Sequence, residues 1–272
     1  MKSLNTQKGF TLVELAIVMT IIGLLIGGIL KGQELMDNAR VSATIAQVKG
    51  IEAATTTFRD SYNAFPGDMP SASTRVPSCN ANCSLPAAST TAGDGIIGGT
   101  AAWAANYNPQ LTAAMAQPPT TAAEETQLFW TELLLANLTS GYTDSPIRTT
   151  PPVPSWGNTM PEAKLGGGYV VGYATGLNGP GSTNATAAQG PSGTVLVMTN
   201  SPTAVLATTT GNLPLTPSRA AQIDRKLDDG KPATGFVQAY GVAASCFQAA
   251  TVLAYQEALT AKDCGLILRI QG

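Results

Sequence analysis

Lys8-Gly9-Phe10-Thr11-Leu12-Val13-Glu14-Leu15 opens an apolar run that continues to about Leu30. From Phe10 to Leu30 the run holds 21 residues and one ionisable side chain, Glu14. At a rise of ~1.5 Å per residue, a helix of that length covers the roughly 30 Å hydrocarbon core of a bilayer. The exception carries the information. A carboxylate at that depth costs at least ~2.5 kcal/mol unless it is paired or protonated, and no Lys or Arg stands between Lys8 and Lys31. Cleavage after Gly9 would create an α-amino group on Phe10, about one helical turn from Glu14. In a stagger of identical helices, the amine of one chain could meet the Glu14 of the next.

An ordinary secretory signal also begins basic and turns apolar, but it expects a small-residue cleavage site after the apolar run and tolerates no Glu within it. Lys2 and Lys8 precede the run without any acid, which keeps residues 1–9 on the cytoplasmic side. Gly23 and Gly27 make a small-xxx-small spacing that permits close helix approach, or are simply glycines that a membrane helix tolerates.

The motif Lys8-Gly9-Phe10-Thr11-Leu12-Val13-Glu14, ahead of an apolar helix, closely resembles the prepilin cleavage site of type IV pilins and type II secretion pseudopilins. The resemblance implies cutting between Gly9 and Phe10 by a prepilin peptidase and methylation of the Phe10 amine. It makes Glu14 the residue that guides assembly. The implied fold is α+β and pilin-like: a long N-terminal helix packed on a C-terminal antiparallel sheet head with added short helices. The implied division is 1–9 leader, 10–30 transmembrane or filament-core helix, 31–65 amphipathic spine and 66–272 head. The implied partners are further copies, other pilin-like subunits, prepilin peptidase and an inner-membrane assembly platform.

Beyond Lys31 the apolar residues Leu35, Met36, Ala39, Ile45, Val48, Ile51, Ala54, Thr55 and Phe58 recur at three- and four-residue intervals. This predicts one unbroken helix to about Tyr62, stopped by Phe65-Pro66-Gly67-Asp68. A similar Tyr-x-Ala-x-Pro-Gly-Asp ending occurs in larger prepilin-like proteins. Residues 67–121, rich in Ala, Thr, Ser, Pro and Gly, are expected to form a surface loop that builds no core alone. Within it Asp94 marks a turn or, less completely, a calcium loop. Helices are predicted over 124–138, with Leu128, Phe129, Leu133, Leu134, Leu135 and Leu138 apolar and Trp130 beside them, and over 217–230, with Thr216 as cap and Gly230 as stop. An irregular segment is expected over 146–161. Strands are predicted over 168–174, 194–199, 235–240 and 265–270.

Four cysteines in an exported chain favour disulfides. Three pairings are possible, and Cys79 with Cys83 and Cys246 with Cys264 are the expected pairs. Zinc is the competing reading, but its usual finger spacing and any His are missing. Asp228 and Asp229 before Gly230 could hold Ca²⁺; otherwise they form a solvated helix end, with Asp224 pairing its neighbours Arg225 or Lys226. The absence of His, the net charge of −2 and only 12% charged residues remove the usual general base and any broad attraction to nucleic acid. No GxSxG, Walker or HExxH motif occurs, and the Gly176–Gly181 tract lacks a dinucleotide-binding context. The expected function is a non-enzymatic, polymerising subunit of a pilus or pseudopilus with no obligatory cofactor. The alternative is a minor, membrane-tethered tip module that recognises a surface, DNA or a secreted substrate. The expected location is the bacterial inner membrane, single-pass, with a periplasmic head and a filament in the periplasm or on the cell surface.

Overall fold

The structure, a computed structural model, describes residues 9–80, 83, 92–97, 125–143, 155–175, 191–200, 202, 211–242, 244–248 and 254–270. Residues 1–8 of the expected leader, Glu124, residues 146–154 of the expected irregular segment and the Gly176–Gly181 tract lie outside this set. Helix α1 runs unbroken over Leu12–Tyr62, 51 residues. Its upper half buries Val41, Thr44, Val48, Ile51, Ala54, Thr55 and Phe58 on one face, as the three- and four-residue spacing requires.

Two details of the helix differ from expectation. Leu35, Met36 and Ala39 are exposed, because the head begins to cover α1 only at Val41. The stop also falls before the Pro-Gly-Asp motif: Asn63 turns left-handed (φ 51°) and its N–H closes on the Arg59 carbonyl at 2.7 Å. Asn tolerates that conformation better than most residues, so the chain leaves the helix before it meets Pro66.

The head is a four-stranded antiparallel sheet in the order β1-β2-β4-β3, with β1 over Gly168–Thr175, β2 over Ser192–Thr199, β3 over Val237–Gly241 and β4 over Cys264–Arg269. Leu196 pairs Leu268 and Met198 pairs Leu266, and these join Val237 and Ala239 in the core shared with α1. The alternate residues Val195, Val197, Ile267 and Tyr240 form a second cluster with Ala174 and Leu213 on the other face. Both faces are therefore covered, which explains why β2 and β4 read as almost continuous apolar runs. Gly265 sits opposite Tyr240, whose ring fills the place a side chain would take.

Among the described residues, three short helices complete the α+β layout. Helix α2 covers Ala72–Arg75, α3 Glu125–Leu135 and α4 Pro217–Leu227. Thr216 caps α4 by accepting from the Arg219 N–H, and Pro217 occupies the first turn, where no amide donor is needed. Helix α4 ends three residues before Gly230, because Asp228 has already left the helical conformation (φ −150°, ψ −141°), while Gly230 makes the following left-handed turn (φ 74°). On α3, Trp130 is fully buried at the centre of the packing, whereas Leu134, Leu135 and Leu138 are only partly covered. The segment after the spine does contribute to the core: Met69, Ala72, Val76 and Ile97 are all buried against α1 and α3 residues.

Gly67 is where the turn after the spine meets α3. With φ at 85°, a Cβ there would collide with the Glu125 carbonyl and stand 2.8 Å from the Phe129 nitrogen. Gly67→Ala is expected to lower the Tm of the detergent-solubilised protein by several degrees, reflecting a loss of more than ~1 kcal/mol. Gly50→Ala, in open space on α1, is expected to raise it slightly. Differential scanning calorimetry of the two variants checks this opposition.

Candidate functional site

Gly9 and Phe10 lead into α1 as exposed, non-helical chain, and Thr11 is the N-cap. The Thr11 hydroxyl accepts from the Glu14 N–H at 3.3 Å. In return Glu14 Oε2 accepts from the Thr11 N–H at 2.9 Å and from the Thr11 hydroxyl at 2.8 Å. This is a capping box. The apolar run offers Glu14 no cation, yet it does offer a partner: Thr11 supplies two donors, and the helix N-terminus adds a favourable dipole. The signal was present as Thr11-Leu12-Val13-Glu14, a T-x-x-E pattern. Both donors reach Oε2, so Oε1 is open to a further donor.

Past this cap, α1 exposes Leu12, Val13, Leu15, Ile17, Val18, Met19, Ile21, Ile22, Leu24, Leu25, Ile26, Ile29 and Leu30. Its backbone is satisfied internally, and Thr20 returns its hydroxyl to the Ile17 carbonyl at 2.8 Å. Gly23, Gly27, Gly28 and Gly32 face open space. Among the described residues, α1 is the one helix long and apolar enough to cross a membrane. A surface of this kind requires lipid or other helices around it.

Where α1 emerges from the apolar half, α4 holds it. Arg219 pairs with Asp37, and Lys226 Nζ reaches Ser42 Oγ at 3.5 Å. Disulfides join Cys79 to Cys83 and Cys246 to Cys264. The second brings the turn after β3 onto the start of β4 and contributes ~3 kcal/mol in the chain-entropy picture. Cys83 packs with Leu128 of α3, so the smaller ring fastens the post-spine segment there.

The aspartates near the end of α4 are arranged otherwise than expected. Asp224 is buried and does not pair with Arg225 or Lys226; its carboxylate accepts from the Gly230 N–H at 3.1 Å and the Tyr255 hydroxyl at 2.7 Å. Arg225 pairs with Glu257 instead. Asp228 lies past the helix and accepts from the Phe236 and Val237 N–H groups, and Asp229 accepts from the Lys231 N–H at 2.9 Å and the Thr234 hydroxyl. One oxygen from each of Asp224, Asp228 and Asp229 falls within 4.8 Å of the others, so these are the residues able to hold a hard cation. Asp94 makes a plain turn, accepting from the Ile96 N–H at 2.8 Å.

Burial raises the Asp224 carboxyl to about 6, against the pull of its Tyr255 and Gly230 hydrogen bonds and with a further push from Asp229 and Asp228. The folded state therefore binds more protons than the unfolded chain between the ordinary aspartate range and about pH 6, and stability falls as pH rises through that window. Asp224→Asn is expected to flatten this slope, which can reach ~1.4 kcal/mol per pH unit for one proton. Chemical denaturation across the window, compared with the unsubstituted protein, checks it.

Residues 4–30 match the model of the prokaryotic N-terminal methylation motif. Comparison with curated proteins and with solved structures gives no match. Proteins that bear this motif are structural, and a single apolar N-terminal helix behind it is consistent with a single-pass membrane anchor. The methylation motif at the head of a long helix, docked on a four-stranded antiparallel sheet, supports a type IV pilin-like family for this chain.

Proposed function

We propose that the chain is a structural subunit that polymerises through α1 into a type IV pilus or a type II secretion pseudopilus. A prepilin peptidase removes residues 1–9, and the new amine of Phe10 is methylated. The subunit waits in the bacterial inner membrane with its head in the periplasm, and an assembly platform there passes it into a filament of like and related subunits. It performs no catalysis itself. The observation that carries this reading is the bare apolar half of α1, headed by a carboxylate with one oxygen capped and one open. In a staggered stack, Glu14 Oε1 would take the Phe10 amine of the neighbouring copy while Oε2 stays on Thr11. Apolar burial at ~25 cal/mol per Å² would then supply cohesion, and the charge pair would supply register.

The convergence of Asp224, Asp228 and Asp229 favours a secondary assignment, a structural Ca²⁺ at the end of α4. Thermal unfolding of EDTA-treated protein tests it. A Tm increase on adding CaCl₂ that Asp228→Asn removes supports the ion; an unchanged Tm leaves the aspartates as turn caps.

For the principal assignment, Glu14→Ala is expected to leave the protein in the membrane fraction and reduce sheared or periplasmic filaments at least ~10-fold, the equivalent of one lost ~1.4 kcal/mol contact. Intact-mass spectrometry of assembled subunits is expected to show a chain beginning at methylated Phe10. Normal filament yield from the Glu14 variant, or an attached leader in assembled material, rejects the proposal.

A further inference from the structure

Glu132 is a buried acid that neither the assembly helix nor the Asp224 cluster employs. It stands in the third turn of α3, wholly enclosed, and its Oε2 accepts from the Gly67 N–H at 2.7 Å. Its Oε1 is sealed from solvent without any hydrogen-bond partner. Asp68, the next residue of the same turn, is also buried, and its carboxylate is fixed by the Gly93 and Gly95 N–H groups. Two buried carboxyl groups thus lie on the turn after the spine and on the helix it packs against, and at Gly67 the two backbones come so close that an added Cβ would collide with Glu125 and Phe129.

Among the described residues, the charged groups of the surrounding elements form no ion pair with either acid. From the last turns of α1, Arg59 lies 5.7 Å over the Phe65 ring, and Asp60 is a further acid. Arg75 of α2 donates to the Tyr62 carbonyl. In the 92–97 turn, Asp94 adds negative potential at Asp68, and Glu125 in the first turn of α3 is a third buried acid. A charged carboxylate with a single N–H donor and one bare oxygen is poorly accommodated in such a place. A neutral acid fits.

We propose that Glu132 is a proton-held latch: as the neutral acid it keeps α3 docked on the Gly67 turn, and losing its proton to solvent drives the side chain out and loosens that contact. Burial first, and the Asp68 charge after it, push the carboxyl up to about 8, while the Gly67 N–H pulls the other way. The folded state therefore holds the extra proton from the ordinary glutamate range to about pH 8, and docking weakens as pH rises through that window. The device leaves the spine and sheet intact and makes the face built from residues 66–97 and α3 compliant above neutral pH.

Hydrogen exchange by mass spectrometry on the full chain in detergent, from about pH 6 to about pH 9 and corrected for intrinsic exchange, reads the open population directly. This range lies above the Asp224 window. The peptides covering 66–76 and 125–135 are expected to lose protection by up to ~10-fold per pH unit, while β2 and β4 keep theirs. Glu132→Gln, neutral at every pH, is expected to hold protection constant. Flat protection in the unsubstituted protein, or a pH dependence that survives in Glu132→Gln, overturns the latch. Should that variant not fold, isotope-edited infrared titration of the unsubstituted protein decides: loss of a carboxylic C=O band near pH 8 supports the latch, and a carboxylate already present at about pH 6 refutes it.

Discussion

The bare apolar half of α1 is the constraint on which the rest of this structure depends. One helix of 51 residues cannot hide both halves in a head of this size, and the head starts only at Val41. The lower half must find its cover elsewhere, in lipid or among like helices, and every polar group it carries must be settled locally first. Thr20 does this through the preceding turn, and Glu14 does it through Thr11. A carboxylate at the N-terminus of a helix is as well placed as one can be in an apolar rod, since the first-turn amides and the helix dipole both favour negative charge there.

The same helix is also the inner wall of the head. Leu196, Met198, Leu266 and Leu268 share one buried cluster with Val48, Ile51 and Phe58, so the sheet and the spine form one core. Coupling follows from this geometry. A displacement of α1 would be felt in β2 and β4 through the shared core, and in α4 through the Arg219–Asp37 pair. The Cys246–Cys264 bond ties the turn after β3 to β4, and the Asp224–Tyr255 contact ties α4 to the segment that bridges Phe247.

Much of this was legible because the signals are local. Strand limits fell within three residues of their expected positions, since Gly and polar punctuation sets them, and Thr216-Pro217 announced the start of α4. The errors came from two sources. Some were local signals passed over: the T-x-x-E box at Thr11, and Asn63 as a left-handed cap ahead of Pro66. Others depend on distant chain and could not be read in one segment. Trp130 stands beside a row of leucines in the sequence and is fully buried in the fold, edge-on to Tyr142 from beyond the helix. Asp224 looked like a solvated helix end and is buried because Tyr255, 31 residues further on, covers it.

The acids of this chain show why residue type alone does not assign a role. Glu14 has two donors and a helix dipole, and closes the capping box of α1. Asp68 has two backbone amides and serves as a turn clamp although burial raises its carboxyl. Asp224 has a hydroxyl and an amide, and is held near the middle of the physiological range. Glu132 has one amide and one bare oxygen, and is raised furthest of the three head acids. Burial and donor supply act in opposite directions on one equilibrium. Donors favour the anion and fix geometry; where they run short, burial favours the proton.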